Sequence, residues 1–250
     1  MADKEKIFEN IVKDYEKSEC FSARLCPDQY VGKIADFKNE KKEVKEDFPV
    51  RVNIFAGQTA DVCIKFSSYE KIMILILESP HQDEFDKNGN PIGPACSTTG
   101  LHIRKYICDI FGNGYKGYHL VLMNAIPFQC SLGLSLNNNK QNLNRRDNLF
   151  EKIWHKDENI FKNFFVNRLT ILTELFKSKP GNFVIANCCT KGYSEKSPLY
   201  QYVSEAIDTT GLKYIQLDHP AIIWNTKKAR ERLREKVKSA GLYKEKASEK

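Results

Sequence analysis

Four apolar runs in this chain each end on a side chain able to do chemistry. Ile72 to Leu77 stops at Glu78-Ser79, HLVLMNA carries Asn124, FVIAN closes on Asn187, and KYIQL stands just ahead of His219. A carboxylate, an amide and an imidazole together hold and move protons, and offer donors and acceptors, near neutral pH. Asp83 is a reserve carboxylate beside Glu78, although the Asp83-Glu84 pair reads equally as an exposed acidic loop. Asn187 is better read as a strand-to-loop turn residue. Asn124 and His219 have similar alternatives, an asparagine bonding its own loop and a histidine opening a proline turn.

The elements that must position these groups follow from periodicity. Ile72 to Leu77 is continuously apolar and rich in β-branched residues, the pattern of a strand buried on both faces. Ser97 or Thr98 can cap a helix with Ile103, Tyr106, Ile107 and Ile110 on one stripe, ended by Gly112 and Gly114. Ile160 to Phe176 reads as a long helix, Ser197-Pro198 as the start of another, and 137–148 as an asparagine-rich loop. Strands separated by helices run parallel. The expected fold is therefore α/β: three layers, α/β/α, with a central, mainly parallel four-stranded sheet and an N-terminal helical and hairpin extension. Residues 1–250 read as one domain: a helical extension over 1–47, an edge hairpin over 48–69, a core over 70–228, and a basic C-terminal helix and tail over 229–250. In open parallel sheets ligands bind outside the carboxyl ends of the strands, which is where Glu78, Asn124 and His219 fall.

Composition narrows the partners. Lysine and arginine outnumber the acids 39 to 32, a net charge of +7 that is compatible with a polyanion without requiring one. The apolar runs are too short to span a bilayer and the start MADKEKIFEN lacks a signal-peptide core, so a cytoplasmic protein without a membrane partner is expected. The eight cysteines include no C-x-x-C pair and read as reduced, structural thiols. No metal or other cofactor is expected, and the chain is expected to act as a monomer.

The segments ILILESPHQDEF with GNPIGPACSTTGLHIRKYI, then LVLMNAIPFQ, then LDHPAIIWN, occur in the order of the three motifs of uracil-DNA glycosylases. The chain resembles that superfamily over roughly residues 70 to 228. The resemblance implies a monofunctional glycosylase that binds duplex or single-stranded DNA, flips out a pyrimidine and hydrolyses its bond to the sugar. Within that likeness, His219 matches the histidine that stabilises the departing base, and Asn124 the asparagine that reads it. Glu78 becomes the first choice for activating water or stabilising the sugar cation, with Asp83 in reserve. Ser79 stands where the best-known branch has aspartate, and His81 stands where it has a tyrosine that excludes 5-substituted bases. Phe85 and Phe128 are candidates for stacking on the base, and equally for the core.

Ile222, Ile223 and Trp224 supply bulk where the family places the wedge that fills the vacated stack, or else begin the last helix as buried residues. Lys227 and Lys228 on that helix, and Arg145 and Arg146 by the asparagine-rich loop, are candidate phosphate contacts. The implied substrate is uracil or a 5-modified cytosine, in base-excision repair or defence against modified phage DNA. A protein that binds modified or damaged bases without catalysis, and a nucleotide-binding domain acting on a small metabolite, are the alternatives.

Overall fold

The computed structural model describes residues 6, 7, 9, 10, 24–26, 28–35, 71–92, 95–131, 140–156, 159–176, 183–190 and 199–245. The hairpin expected over 48–69, most of the 1–47 extension and the Ser197-Pro198 helix start lie outside them.

The strands are β1 (Gln29–Lys33), β2 (Ile72–Leu77), β3 (His119–Asn124), β4 (Phe183–Asn187) and β5 (Ile215–Gln216). They form one mixed sheet in the order β1-β3-β2-β4-β5, not the expected four-stranded one. β2 pairs in parallel with β3 and β4, β4 pairs in parallel with β5, and β1 runs antiparallel to β3. The extra strand, QYVGK, contains a register shift between Tyr30 and Gly32, and Gly32 has a φ of 105°. A glycine bulge interrupts the alternation by which a strand is recognised. KYIQL contributes only Ile215 and Gln216 as strand.

The helices are α1 (Thr98–Phe111), α2 (Lys140–Trp154), α3 (Ile160–Phe176), α4 (Leu199–Asp208), the short α5 (Pro220–Ile223) and α6 (Lys227–Ser239). β2 and β3 are buried along their whole length. Successive strand residues point to opposite faces, so each strand feeds two cores. Ile72, Ile74 and Ile76 pack with residues of α2, α3 and α4; Met73, Leu75 and Leu77 pack with residues of α1 and α6. The chain therefore leaves β2 toward one core, and leaves its neighbours β3 and β4 toward the other. Connections that diverge in this way open a crevice at the carboxyl ends of the strands.

The asparagine-rich stretch is not a loop throughout, because α2 begins at Lys140. Leu149, Phe150, Ile153 and Trp154 bury one face of α2, and tertiary packing of this kind overrides the weak helix propensity of asparagine. Ser97 occupies the N-cap position of α1, as expected, without a side-chain cap bond. Gly112 follows α1 with a φ of 95°, and a Cβ there would lie 2.0 Å from the Lys244 carbonyl oxygen, so this stop requires glycine. Among the described residues no helix is long and apolar enough to cross a membrane.

Candidate active site at the strand ends

A cleft of about 610 Å³ opens at the carboxyl ends of the strands. Glu78 and Ser79 reach it from β2, Ser131 from the loop after β3, Thr190 from the loop after β4, and His219 from the loop after β5. Hydrogen bonds keep the strand ends level: Ala125 N–H donates to Leu77, Cys188 N–H to Ile76 and Leu217 N–H to Asn187.

Glu78 is buried, with both carboxylate oxygens occupied. Arg146 Nη1 lies 2.7 Å from Oε1, and the Thr190 backbone N–H donates to Oε2 at 2.9 Å alongside the Thr190 hydroxyl. Burial alone would raise its pKa, but Arg146, His219 and the two Thr190 donors outweigh it and hold the carboxyl below its ordinary value. Glu78 is thus a fixed anion. Arg146 is itself oriented from α2 by Asp147, which accepts from Nε at 2.8 Å.

His219 caps α5, its Nδ1 accepting from the Ala221 N–H at 3.3 Å. Burial lowers its pKa, the Glu78 charge opposes this and Arg146 adds to it, with a net fall below the ordinary histidine value. The imidazole is therefore neutral at pH 7. With Nδ1 acting as acceptor, the ring proton belongs on Nε2, which makes Nε2–H the donor.

A second polar group lies deeper. Asn124 is buried, pairs in register with Leu77 of the cleft wall, and is not itself on the wall. Its amide turns to the carboxyl of Glu84, a contact close enough to lower the Glu84 pKa but short of a well-formed hydrogen bond, and neither Asn124 amide atom nor Glu84 Oε2 has any other partner. Glu84 reaches the cleft wall but is only 4% exposed, so Asp83-Glu84 is not uniformly an exposed acidic loop. Burial pushes its pKa up to about 8. Beneath this group, Arg168 of α3 donates to the carbonyls of Asn124 and Ala125 and to Asp28, fixing the exit from β3. Asn187 has a structural role: its amide donates to the Tyr200 carbonyl and to Ser204, and accepts from the Cys189 N–H.

Several sequence assignments change. Trp224 is not a wedge: it is fully buried in the core and its indole N–H donates to the Asp218 carbonyl at 2.9 Å. Ile223 is partly buried, whereas Ile222 is 61% exposed and lines the cleft. Phe128 is a core residue, edge-on to Phe161, and Phe85 is buried and bridged to Pro91, so neither ring faces the cleft. Arg146 is not a surface phosphate contact, because it is mostly buried against Glu78. Arg145 is half-buried, while Lys227 and Lys228 remain exposed on α6. Other cations of α6 have partners on the same chain: Arg230 stacks on Tyr106 at 4.0 Å, the exposed Arg232 pairs with Asp218, and Arg234 donates to the Asp109 carbonyl. Ser79, His81 and the half-exposed Asp83 line the cleft.

Sequence reading missed Thr190 and Glu84. Thr190 stands three residues after β4, at the same edge as Glu78 after β2, and that position was its only signal. No family model, curated protein or solved structure matches the chain.

Proposed function

We propose that the protein is a DNA glycosylase that draws an extruded pyrimidine base into this cleft and hydrolyses its bond to the sugar with water. One observation carries the reading: His219, whose Nδ1 accepts from the Ala221 N–H and so leaves Nε2 to donate, shares a cleft with the buried Glu78 carboxylate held by Arg146 and Thr190. Breaking an N-glycosidic bond sends the bonding electron pair onto the base and leaves positive charge on the sugar. His219 Nε2–H meets the developing anion and the Glu78 carboxylate meets the developing cation. Water adds to the anomeric carbon and loses a proton, and the base leaves as an anion that is protonated afterwards. Preorganised charge of this kind acts most strongly where water is scarce.

Glu78 serves as an electrostatic stabiliser and not as the base, because both of its oxygens are engaged and its pKa is depressed. Asp83, on the same cleft wall, is the acceptor for the water proton. The three-layer arrangement, with α2, α3 and α4 on one face of the sheet and α1 and α6 on the other, fits this chemistry by placing the cleft at the divergence of the strands. The exposed Ile222 on the cleft wall is the wedge that enters the stack. His81 in place of a larger ring leaves room for 5-substituted pyrimidines. A second reading, a base-binding protein without catalysis, is favoured by the same engaged oxygens of Glu78.

Incubation with oligonucleotides containing uracil, hypoxanthine, hydroxymethylcytosine or glucosylated hydroxymethylcytosine, followed by alkali, separates the two. Strand scission at the modified position is expected for at least one pyrimidine. Tight binding without scission across the whole panel supports the non-catalytic reading.

A further inference from the structure

The cleft wall at Glu84, and Asn124 behind it, carry polar groups that the chemistry above leaves unused. Glu84 Oε2 and both amide atoms of Asn124 are buried without a partner beyond the contact between the two side chains, Asn124 at the end of β3 and Glu84 in the short turn that follows β2. Buried polar atoms nearly always have partners, and a cluster left short of them marks a place that something else completes. The Glu84 carboxyl is not merely stranded there. Backbone N–H groups of Ala95 and His81 donate to it, and Ala95 adopts a left-handed backbone with a φ of 58°. That conformation is costly for a residue with a Cβ, and such strain collects where a group must be aimed. Gly100 of α1 makes room for it, since a Cβ on Gly100 would lie 1.8 Å from the Ala95 carbonyl oxygen.

We propose that Glu84 is a second base-reading residue, its carboxyl and the Asn124 amide together forming the polar floor that receives the hydrogen-bonding edge of the extruded base. The inference rests on the glycosylase reading and adds to it the residue that pairs with Asn124. A carboxylic acid carries one O–H donor and one acceptor, as an amide carries donor and acceptor, so the pair offers alternating sites to a base edge that alternates in the same way. An ionised carboxyl would only accept, and would repel the lone pairs of a pyrimidine ring nitrogen or carbonyl. The titratable groups that face Glu84 are Asp83 on its own turn and the Cys96 thiol ahead of α1, while Asn124 brings no charge from β3. The Asp83 charge adds to burial in keeping the carboxyl protonated, up to about pH 8.

The test is single-turnover excision, and fluorescence-anisotropy binding, with uracil- and hydroxymethylcytosine-containing oligonucleotides and with an abasic-analogue oligonucleotide. The wild type, Glu84→Ala and Glu84→Gln are compared from pH 6 to 9. Glu84→Ala should lose about tenfold or more in excision and in preference for base-containing over abasic oligonucleotide, with affinity for the abasic analogue unchanged. Glu84→Gln, which keeps a donor and an acceptor at nearly the same volume, should retain most activity at pH 7. It should also lack the decline expected of the wild type above about pH 8. An active wild type matched by Glu84→Ala, or a Glu84→Gln with the wild-type pH profile, overturns this assignment and leaves the glycosylase reading standing. A wild type that excises nothing but prefers base-containing oligonucleotide still tests Glu84 through that preference. One that neither excises nor prefers overturns both.

Discussion

The two polar halves of the cleft are built in opposite ways. Around Glu78 every strong group has a partner: Arg146 and Thr190 on the carboxylate, Asp147 on Arg146, and the Ala221 N–H on His219. Around Glu84 and Asn124 three buried polar atoms have none beyond the contact between these two side chains. Both halves are desolvated, yet burial lowers the charge of one and not of the other. Glu78 stays ionised because the Arg146 cation and its hydrogen-bond donors outweigh burial, whereas Glu84 has donors but the Asp83 anion in place of a cation, and stays protonated. The satisfied half is shaped for charge that appears during a reaction, and the unsatisfied half for a ligand that arrives with hydrogen bonds of its own.

The sharpest way to break this contrast is to strip Glu78 of its cation. Removing one partner of a buried ion pair costs about 3–5 kcal/mol, because the other charge is left uncompensated. Arg146→Met should therefore lower the unfolding free energy by an amount of that order, raise the Glu78 pKa and depress turnover, all readable by denaturant titration and a pH–rate profile. A variant of full stability that only flattens the salt dependence of DNA binding would return Arg146 to the phosphate-contact role its sequence position suggested.

The unsatisfied half predicts a pH signature in stability. Below pH 4.5 the Glu84 carboxyl is protonated in both folded and unfolded chains; between pH 4.5 and about 8 the unfolded chain releases the proton and the folded protein keeps it. The folded state binds more protons across that window, so this group's contribution to stability falls as pH rises through it and levels off above. Glu84→Gln should accordingly raise the melting temperature over wild type more at pH 8 than at pH 5. An equal difference at both values would mean that Glu84 is ionised in the folded protein.

One residue of each half was legible because strand periodicity places residues without needing their contacts. The apolar run from Ile72 to Leu77 fixes where Glu78 emerges, and the HLVLMNA run does the same for Asn124. Partners across the fold are different. Arg146 lies in a stretch whose asparagines suggested a loop, and only the packing of Phe150 and Trp154 turns it into a helix facing Glu78. Trp224 and Phe128 were ambiguous because large aromatics serve cores and surfaces alike, and burial decides between the two. Glu84 was read with its neighbour Asp83 because two adjacent acids look the same in sequence, although the short turn they share buries one and exposes the other.

Smaller effects separate the cleft from its surroundings. His81→Tyr should suppress release of 5-substituted pyrimidines relative to uracil by about tenfold, the scale of a steric clash of a few heavy atoms. An unchanged ratio in competition assays would show that another group sets the size limit. Charge reversal at Lys227 or Lys228, exposed on α6, should weaken binding to all sequences alike and reduce the salt slope by about one per lost contact. An unchanged slope would assign both to a solvated surface.

The most direct measurement is chromatographic detection of free base released from a modified-pyrimidine oligonucleotide by the wild type and by His219→Ala under single-turnover conditions. If the neutral His219 donor and the fixed Glu78 anion do the chemistry, free base and abasic sites appear in equal amounts with the wild type. His219→Ala should then lose about 100-fold or more in rate while its DNA affinity is nearly unchanged. Base released at the wild-type rate by His219→Ala would contradict the account.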